Sequence, residues 1–367
     1  MLKWYKTELL REHIKLDLED IKVVTLNLGN WLKEQSYIGR DVRATNPPKE
    51  ISTVYSFSLI AWINLYKLYG KELFLQEAKH CLDRIIKEQQ SSGEWLFPYE
   101  FRSNPAYFPY ACENFMTVKS LFSYWNRIEQ RKDIAESINK NLIFLLNHIG
   151  CNKGVFWYSP TDKIKVPNIS SMAANIFAKA YILFNDVSYL KNAEMFTNYC
   201  IANQNVNGSF PYFEGESLVY IPYHELEIWE LKEANFIMNN KKIEASLTKA
   251  IKYLTDHFRE HSYTSNNLDR KFLTTIMFKT PLWATKAYLA MNDYFSALKH
   301  FARSRLFQVP RKPYFFNYVT GVSLKNTIIP LWPNFSSVFM RYNASCFEIG
   351  SQILLKSIEF SKRGVDK

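Results

Sequence analysis

Tyr223, His224 and Glu227 form the most chemically suggestive run in the chain. On a helix, residues three or four apart share a face, so Glu227 would meet both His224 and Tyr223, while Glu225 would point elsewhere. A carboxylate beside an imidazole raises its pKa and can poise it for proton transfer, and the phenol offers a second acid or base. A structural histidine bonded to a carboxylate would show the same spacing. Glu113 is a further carboxylate; with Glu227 it would give the pair that flanks a glycosidic bond in hydrolysis. Trp95, Tyr99, Tyr110, Trp157 and Tyr212 stand in or beside long loops, where aromatic faces can stack on sugar rings. Arg311 and Arg341 suit the recognition of carboxylate or phosphate. Asn168 could face the same group, although, like Ser52 and Asn334, it also reads as a helix N-cap.

The elements that position these residues are helices, and they repeat. Tyr66, Leu68, Leu75 and Ala78 match Tyr181, Leu183, Leu190 and Ala193 without a gap. Both copies end in one device, Gln89-x-x-x-Gly93-x-Trp95 and Gln204-x-x-x-Gly208-x-Phe210. A third copy begins at Lys286-Ala287-Tyr288, and a degenerate fourth ends at Gly154-Val155-Phe156-Trp157. Each copy reads as helix, short turn, helix, with apolar residues at helical spacing. Short turns near Gly70, Arg131, Asn185, Asn239 and Asn292 alternate with long connections at about 38–51, 91–111, 152–167, 206–222, 261–278 and 308–333. In an up-down helical array, alternate connections fall on opposite ends. All the long connections therefore share one face. The count is about twelve helices, the last at 335–358, or six hairpins, a number suited to a closed ring. The expected fold is all-α, an (α/α)6 toroid over residues 1–367 as one domain. The first turns of the inner helices should rim its central funnel.

This pattern resembles the six-hairpin (α/α) toroid superfamily, which includes many glycosidases, polysaccharide lyases and sugar epimerases. The glutamine–glycine–aromatic ending is also similar to the repeat of terpene cyclases, but no D-x-D-D acid is present. Toroid proteins of bacterial surface-polysaccharide synthesis show a closer similarity, carried by Val166-Pro167-Asn168, Asn185-Asp186-x-x-Tyr189-Leu190, Gln204-x-x-x-Gly208-Ser209-Phe210 and Tyr223-His224. In that pattern an acidic residue and Asn often precede the aromatic-His pair, where this chain has Ile221-Pro222. The resemblance implies a carbohydrate-active protein working on an acidic sugar or glycan as hydrolase, lyase or uronate epimerase in polysaccharide metabolism. The alternative is a non-catalytic glycan-binding or scaffold toroid of a polysaccharide-assembly system.

Composition narrows the partners. The 367 residues hold 47% hydrophobic and 22% charged residues, enough to bury a core, and 9 Trp, 23 Tyr and 27 Phe. A net charge of +11 favours an anionic partner, but the basic residues are scattered and no nucleic-acid signature occurs. Five isolated cysteines, without a C-x-x-C pair, suggest free thiols and no metal site, and no cofactor is implied. No apolar run is long enough to span a membrane, and the first residues lack a signal-peptide core, so the expected location is cytoplasmic.

Overall fold

The computed structural model describes residues 17–40, 47–261, 273–309, 311–324, 327–333 and 338–364. Among them are twelve α-helices, arranged as two concentric layers. The inner layer comprises α2 (Ser52–Tyr69), α4 (Ala111–Arg127), α6 (Pro167–Phe184), α8 (Ile221–Met238), α10 (Lys279–Ala290) and α12 (Met340–Gly364). The outer layer comprises α1 (Leu18–Glu34), α3 (Glu72–Glu88), α5 (Lys132–Phe144), α7 (Val187–Ala202), α9 (Lys241–His261) and α11 (Tyr294–Ser304). Each inner helix packs on the next, and α12 packs on α2, which closes the ring.

Residue distribution explains the layers. α2 is buried continuously from Ser52 to Leu65, as a helix enclosed on all sides must be. α3 buries only Phe74, Ala78, Cys81, Leu82 and Ile85, one stripe at helical spacing. The short turns are held by residues in the left-handed conformation after four inner helices: Gly70, Asn185, Asn239 and Asn292 have φ between 50° and 65°. The alternation of short and long connections is as read from the sequence, and all inner-helix N-termini lie on the long-loop side.

The glutamine–glycine–aromatic device proves to be a staple. Gln89 Nε2 donates to the carbonyls of Gly93 (2.8 Å) and Ser137 (2.9 Å), and Gln89 Oε1 accepts from Ser137 Oγ (2.7 Å). Gln204 repeats this with Gly208 (2.8 Å), the Ser246 carbonyl (3.0 Å) and Ser246 Oγ (2.7 Å). Each glutamine thus ties its loop to the following outer helix. Gly93 and Gly208 have φ of 110° and 92°, and a Cβ on either would strike the carbonyl of Lys140 or Lys249.

Two features differ from expectation. The long connections carry strands: β1 (Leu96–Phe97) pairs with β2 (Phe108–Pro109), and β3 (Cys151–Asn152) with β4 (Val155–Phe156). Two connections far apart in sequence meet as an antiparallel sheet of β5 (Leu273–Met277), β6 (Tyr318–Leu324) and β7 (Thr327–Pro333). Their Val, Ile, Thr and aromatic content suits strands, and pairing satisfies backbone groups that a long loop would leave unbonded. The last helix begins at Met340 rather than 335; Asn334 to Ser337 lie outside the described residues.

Candidate active site

The fourth residue of an inner helix anchors the loop before it. Asn114 accepts from the Trp95 N–H (2.9 Å), and Ser170 from the Phe156 N–H (3.0 Å). His224 Nδ1 accepts from the Phe210 N–H (3.1 Å), and Asn343 from the Phe315 N–H (2.8 Å). Four repeats therefore use four acceptors for one task. His224 also sets its Nε2 at 3.1 Å from the Ala250 carbonyl, so the ring is the Nε2–H tautomer with both nitrogens engaged. Burial pushes its pKa down to about 3, which keeps it neutral. The expected His224–Glu227 pair does not form. Glu227 turns instead toward Cys200 of α7, and its Oε2 is buried without a partner. Burial holds this carboxyl well above the usual carboxylate range.

The rim of the ring carries a different set. Glu113, only 2% exposed, accepts from Arg341 Nη1 (2.5 Å) and Thr53 Oγ1 (2.9 Å), linking α4, α12 and α2. Arg341 also lies over the Phe97 ring, 5.0 Å from its centroid. Tyr223 stacks on Tyr212 at 5.2 Å and 12°, and on Tyr220 at 5.4 Å and 29°. Its hydroxyl makes no hydrogen bond among the described residues, and the side chain is half-buried. Burial pushes the Tyr223 pKa up to about 12, against the pull of Arg341 and Arg102. Lys279 Nζ lies 4.4 Å from the Tyr223 ring centroid, 5.3 Å from that of Tyr220 and 5.6 Å from that of Trp283. Burial lowers its pKa to about 8, against the pull of Glu225 and with help from Arg341. Asn168, on the first turn of α6, has a buried Oδ1 without a partner.

The aromatic residues read from the sequence divide in two. Trp95 is fully buried, its Nε1 donating to the Ile85 carbonyl (2.8 Å). Tyr99 donates to the Gly39 and Pro47 carbonyls (2.7 and 3.0 Å), and Tyr110 to the Phe101 carbonyl (2.5 Å). These three are 0 to 3% exposed and brace loops, so they present no free face for a sugar. Tyr212 stays at the rim against Tyr223, and Trp157 is half-buried under Lys163. Arg311 is exposed on the connection before α12, at a φ of 60°. Asn168 is not an N-cap, since Pro167 opens its helix and Val166 caps it; Ser52 likewise sits inside α2, with Ile51 as cap.

Sequence reasoning missed Thr53, Tyr220, Lys279 and Trp283 as members of this cluster. Position was the available signal, because Thr53, Lys279 and Trp283 all stand in the opening turns of inner helices.

Deeper in the ring is a second polar layer. Lys119 bonds Glu230 (3.0 Å) and Glu233 (3.0 Å), Lys179 bonds Glu233 (2.5 Å), and Lys286 bonds Glu348 (2.7 Å). Trp229 lies between two of these lysines, with Lys119 Nζ 3.6 Å and Lys286 Nζ 3.1 Å from its ring centroid. Among the described residues, no group of three or more His, Cys, Asp or Glu side chains could hold a metal ion. Among the described residues, no helix is long and apolar enough to cross a membrane.

No protein-family model matches the chain, and no curated protein sequence does. Solved structures do. A cellobiose 2-epimerase from Bacillus thermoamylovorans superposes over 92% of this chain and 99% of its own, with a TM-score of 0.65 at 13% identity. The fold is that of the six-hairpin (α/α) toroids. An unsaturated glucuronyl hydrolase specific for heparin covers 92% of this chain and 97% of its own, with a TM-score of 0.64 at 11% identity. A GH76 α-mannanase of Bacteroides thetaiotaomicron covers 94% and 98%, with a TM-score of 0.65 at 10% identity. All three of these similar toroids are carbohydrate-active enzymes.

Proposed function

We propose that the protein is a carbohydrate-active enzyme acting on an acidic sugar or glycan at the long-loop mouth. The reaction is proton transfer at the carbon bearing the carboxylate, leading to β-elimination or epimerisation. The observation that carries this reading is the pairing of Tyr223 with Lys279 at a rim of inner-helix N-termini: the phenol makes no hydrogen bond among the described residues, Lys279 Nζ lies 4.4 Å from its ring centroid, and the Arg341–Glu113 pair acts on it electrostatically. Such a rim favours a negatively charged ligand, since each helix presents about half a positive charge at its N-terminus.

Lys279, with a pKa of about 8, is the base. Its neutral amine takes the proton from the carbon next to the carboxylate. Tyr223, still a phenol below about pH 12, is the acid. In elimination it donates to the departing glycosidic oxygen; in epimerisation it donates to the opposite face of the carbon. Arg341 and Asn168 face the sugar carboxylate. Two-carboxylate hydrolysis is less well supported, because Glu227 lies away from the rim and Glu113 is neutralised by Arg341. The likeness to an epimerase and a glucuronyl hydrolase supports a sugar substrate without choosing the reaction.

The test is to incubate the protein with uronic-acid oligosaccharides and follow the absorbance of unsaturated products together with deuterium uptake from D2O. Product or exchange that disappears in Tyr223→Phe and Lys279→Met supports the reading. Saturable glycan binding without either signal would leave the non-catalytic glycan-binding toroid as the function.

A further inference from the structure

We infer that the opposite, short-turn end of the ring holds a second binding site, for a small phosphate monoester. A cavity of about 810 Å³ opens there, lined by Asn64, Arg127, Phe236, Lys286, Gln352 and Lys356 among others. That volume suits a sugar- or nucleotide-sized ligand. It lies at the C-terminal ends of the inner helices and shares no lining residue with the rim cluster.

The charge pattern identifies the ligand. The cavity wall carries four cations, Arg127, Lys232, Lys286 and Lys356, and two carboxylates, Glu233 and Glu244. Both carboxylates are already engaged: Glu244 by Lys232 (2.8 Å), and Glu233 by Lys119 (3.0 Å) and Lys179 (2.5 Å). Lys286 is neutralised by Glu348 behind the wall. Two cations, Arg127 and Lys356, remain without a carboxylate among the described residues, which matches the two charges of a phosphate monoester. The half-buried Arg127 guanidinium donates through Nη1 to Asn64 Oδ1 (2.6 Å), which orients its fork. Asn64 is fixed in turn by donating to Ser351 Oγ (2.9 Å). Phe236, 92% exposed on the same wall, offers a ring face to the organic part of the ligand.

A structural reading of Arg127 would make it a counter-charge for the C-terminus of α4. Its guanidinium instead bonds across to α2, away from its own helix carbonyls. The helix C-termini around the cavity repel anions, so a phosphate is held here only by side-chain cations, and removing one should be decisive.

Calorimetric titration of the full chain with inorganic phosphate and glucose 1-phosphate tests the site. Saturable binding is expected, tighter for the sugar phosphate. Arg127→Met should weaken it at least about tenfold, the scale of one charge-assisted hydrogen bond. Lys356→Gln, at a side chain with no hydrogen bond among the described residues, should weaken it several-fold and serves as the decisive variant if Arg127→Met does not fold. Tyr223→Phe should leave it unchanged. Absence of binding by either probe overturns the proposal. So does binding unaffected by both cavity variants, and so does binding lost in Tyr223→Phe, which would move the anion to the mouth.

Discussion

The rim and the layer beneath it are built from the inner helices and the same kinds of residue, yet they are organised in opposite ways. In the deeper layer the three lysines and their carboxylates answer one another. Lys119, Lys179 and Lys286 meet Glu230, Glu233 and Glu348. At the rim, Glu113 is held by Arg341 and Thr53, while Lys279 rests on aromatic faces and the Tyr223 hydroxyl and Asn168 Oδ1 have no partner. Buried polar groups that satisfy one another specify a structure; those left open are available to a ligand. On the function proposed above, the inner layer holds the ring together and the rim carries the chemistry.

The largest expected effect is at the rim. Tyr223→Phe and Lys279→Met should each lower kcat on the acidic-sugar substrate by about 10²- to 10⁴-fold, the usual worth of a general acid or base, with unchanged circular dichroism and melting temperature. The wild-type rate should rise with pH up to about 8 as Lys279 loses its proton, and the rise should vanish in Lys279→Met. In the deeper layer the result should be reversed. Lys286→Met strands Glu348 in the interior and should cost about 3 to 5 kcal/mol of stability, read by denaturant unfolding.

His224 decides between the layers in a single residue. Losing its two backbone hydrogen bonds should make His224→Ala about 2 to 6 kcal/mol less stable, since each buried group left unsatisfied costs about 1 to 3. His224→Asn should recover part of that, because Asn114 and Asn343 do the same work in sister repeats. The folded pKa of His224, about 3, lies below the ordinary 6.5, so its contribution is complete above pH 6.5 and fades as pH falls toward 3. A pH–stability curve should be flatter over that window in His224→Asn.

The smallest effect is expected at Glu227. Its folded pKa is raised by burial, so the wild type loses stability as pH climbs above the ordinary carboxyl value of 4.5. Glu227→Gln should therefore stabilise the fold by about 1 kcal/mol at pH 7, a gain that disappears below pH 4.5.

The ring itself was legible because it rests on periodicity. Turn residues such as Gly70 and Asn185, and the paired devices at Gln89 and Gln204, mark the hairpins independently of long-range contacts. That the long connections and the inner-helix N-termini share one face followed from the alternation of connections. The identity of the site residues did not follow. Residue type cannot separate His224 as a loop anchor from His224 as a catalyst; only its two backbone partners do. Trp95 and Tyr110 are aromatic residues of long loops, as Tyr212 is, but they turn inward because the loops need cores of their own. Lys279 stood in an opening turn expected at the rim but received no role, because an isolated lysine carries no pattern. Its environment comes from Tyr220, Tyr223 and Trp283, which the fold alone brings together.

The division between a reactive rim and a structural interior is tested most directly by deuterium exchange. Wild type, Tyr223→Phe, Lys279→Met and His224→Asn would each be incubated with uronic-acid oligosaccharides in D2O, and the sugars analysed by mass spectrometry. The account predicts deuterium uptake or an unsaturated product with wild type and His224→Asn, and neither with the two rim variants. Activity that survives in both rim variants but is lost in a folded His224→Asn would contradict it.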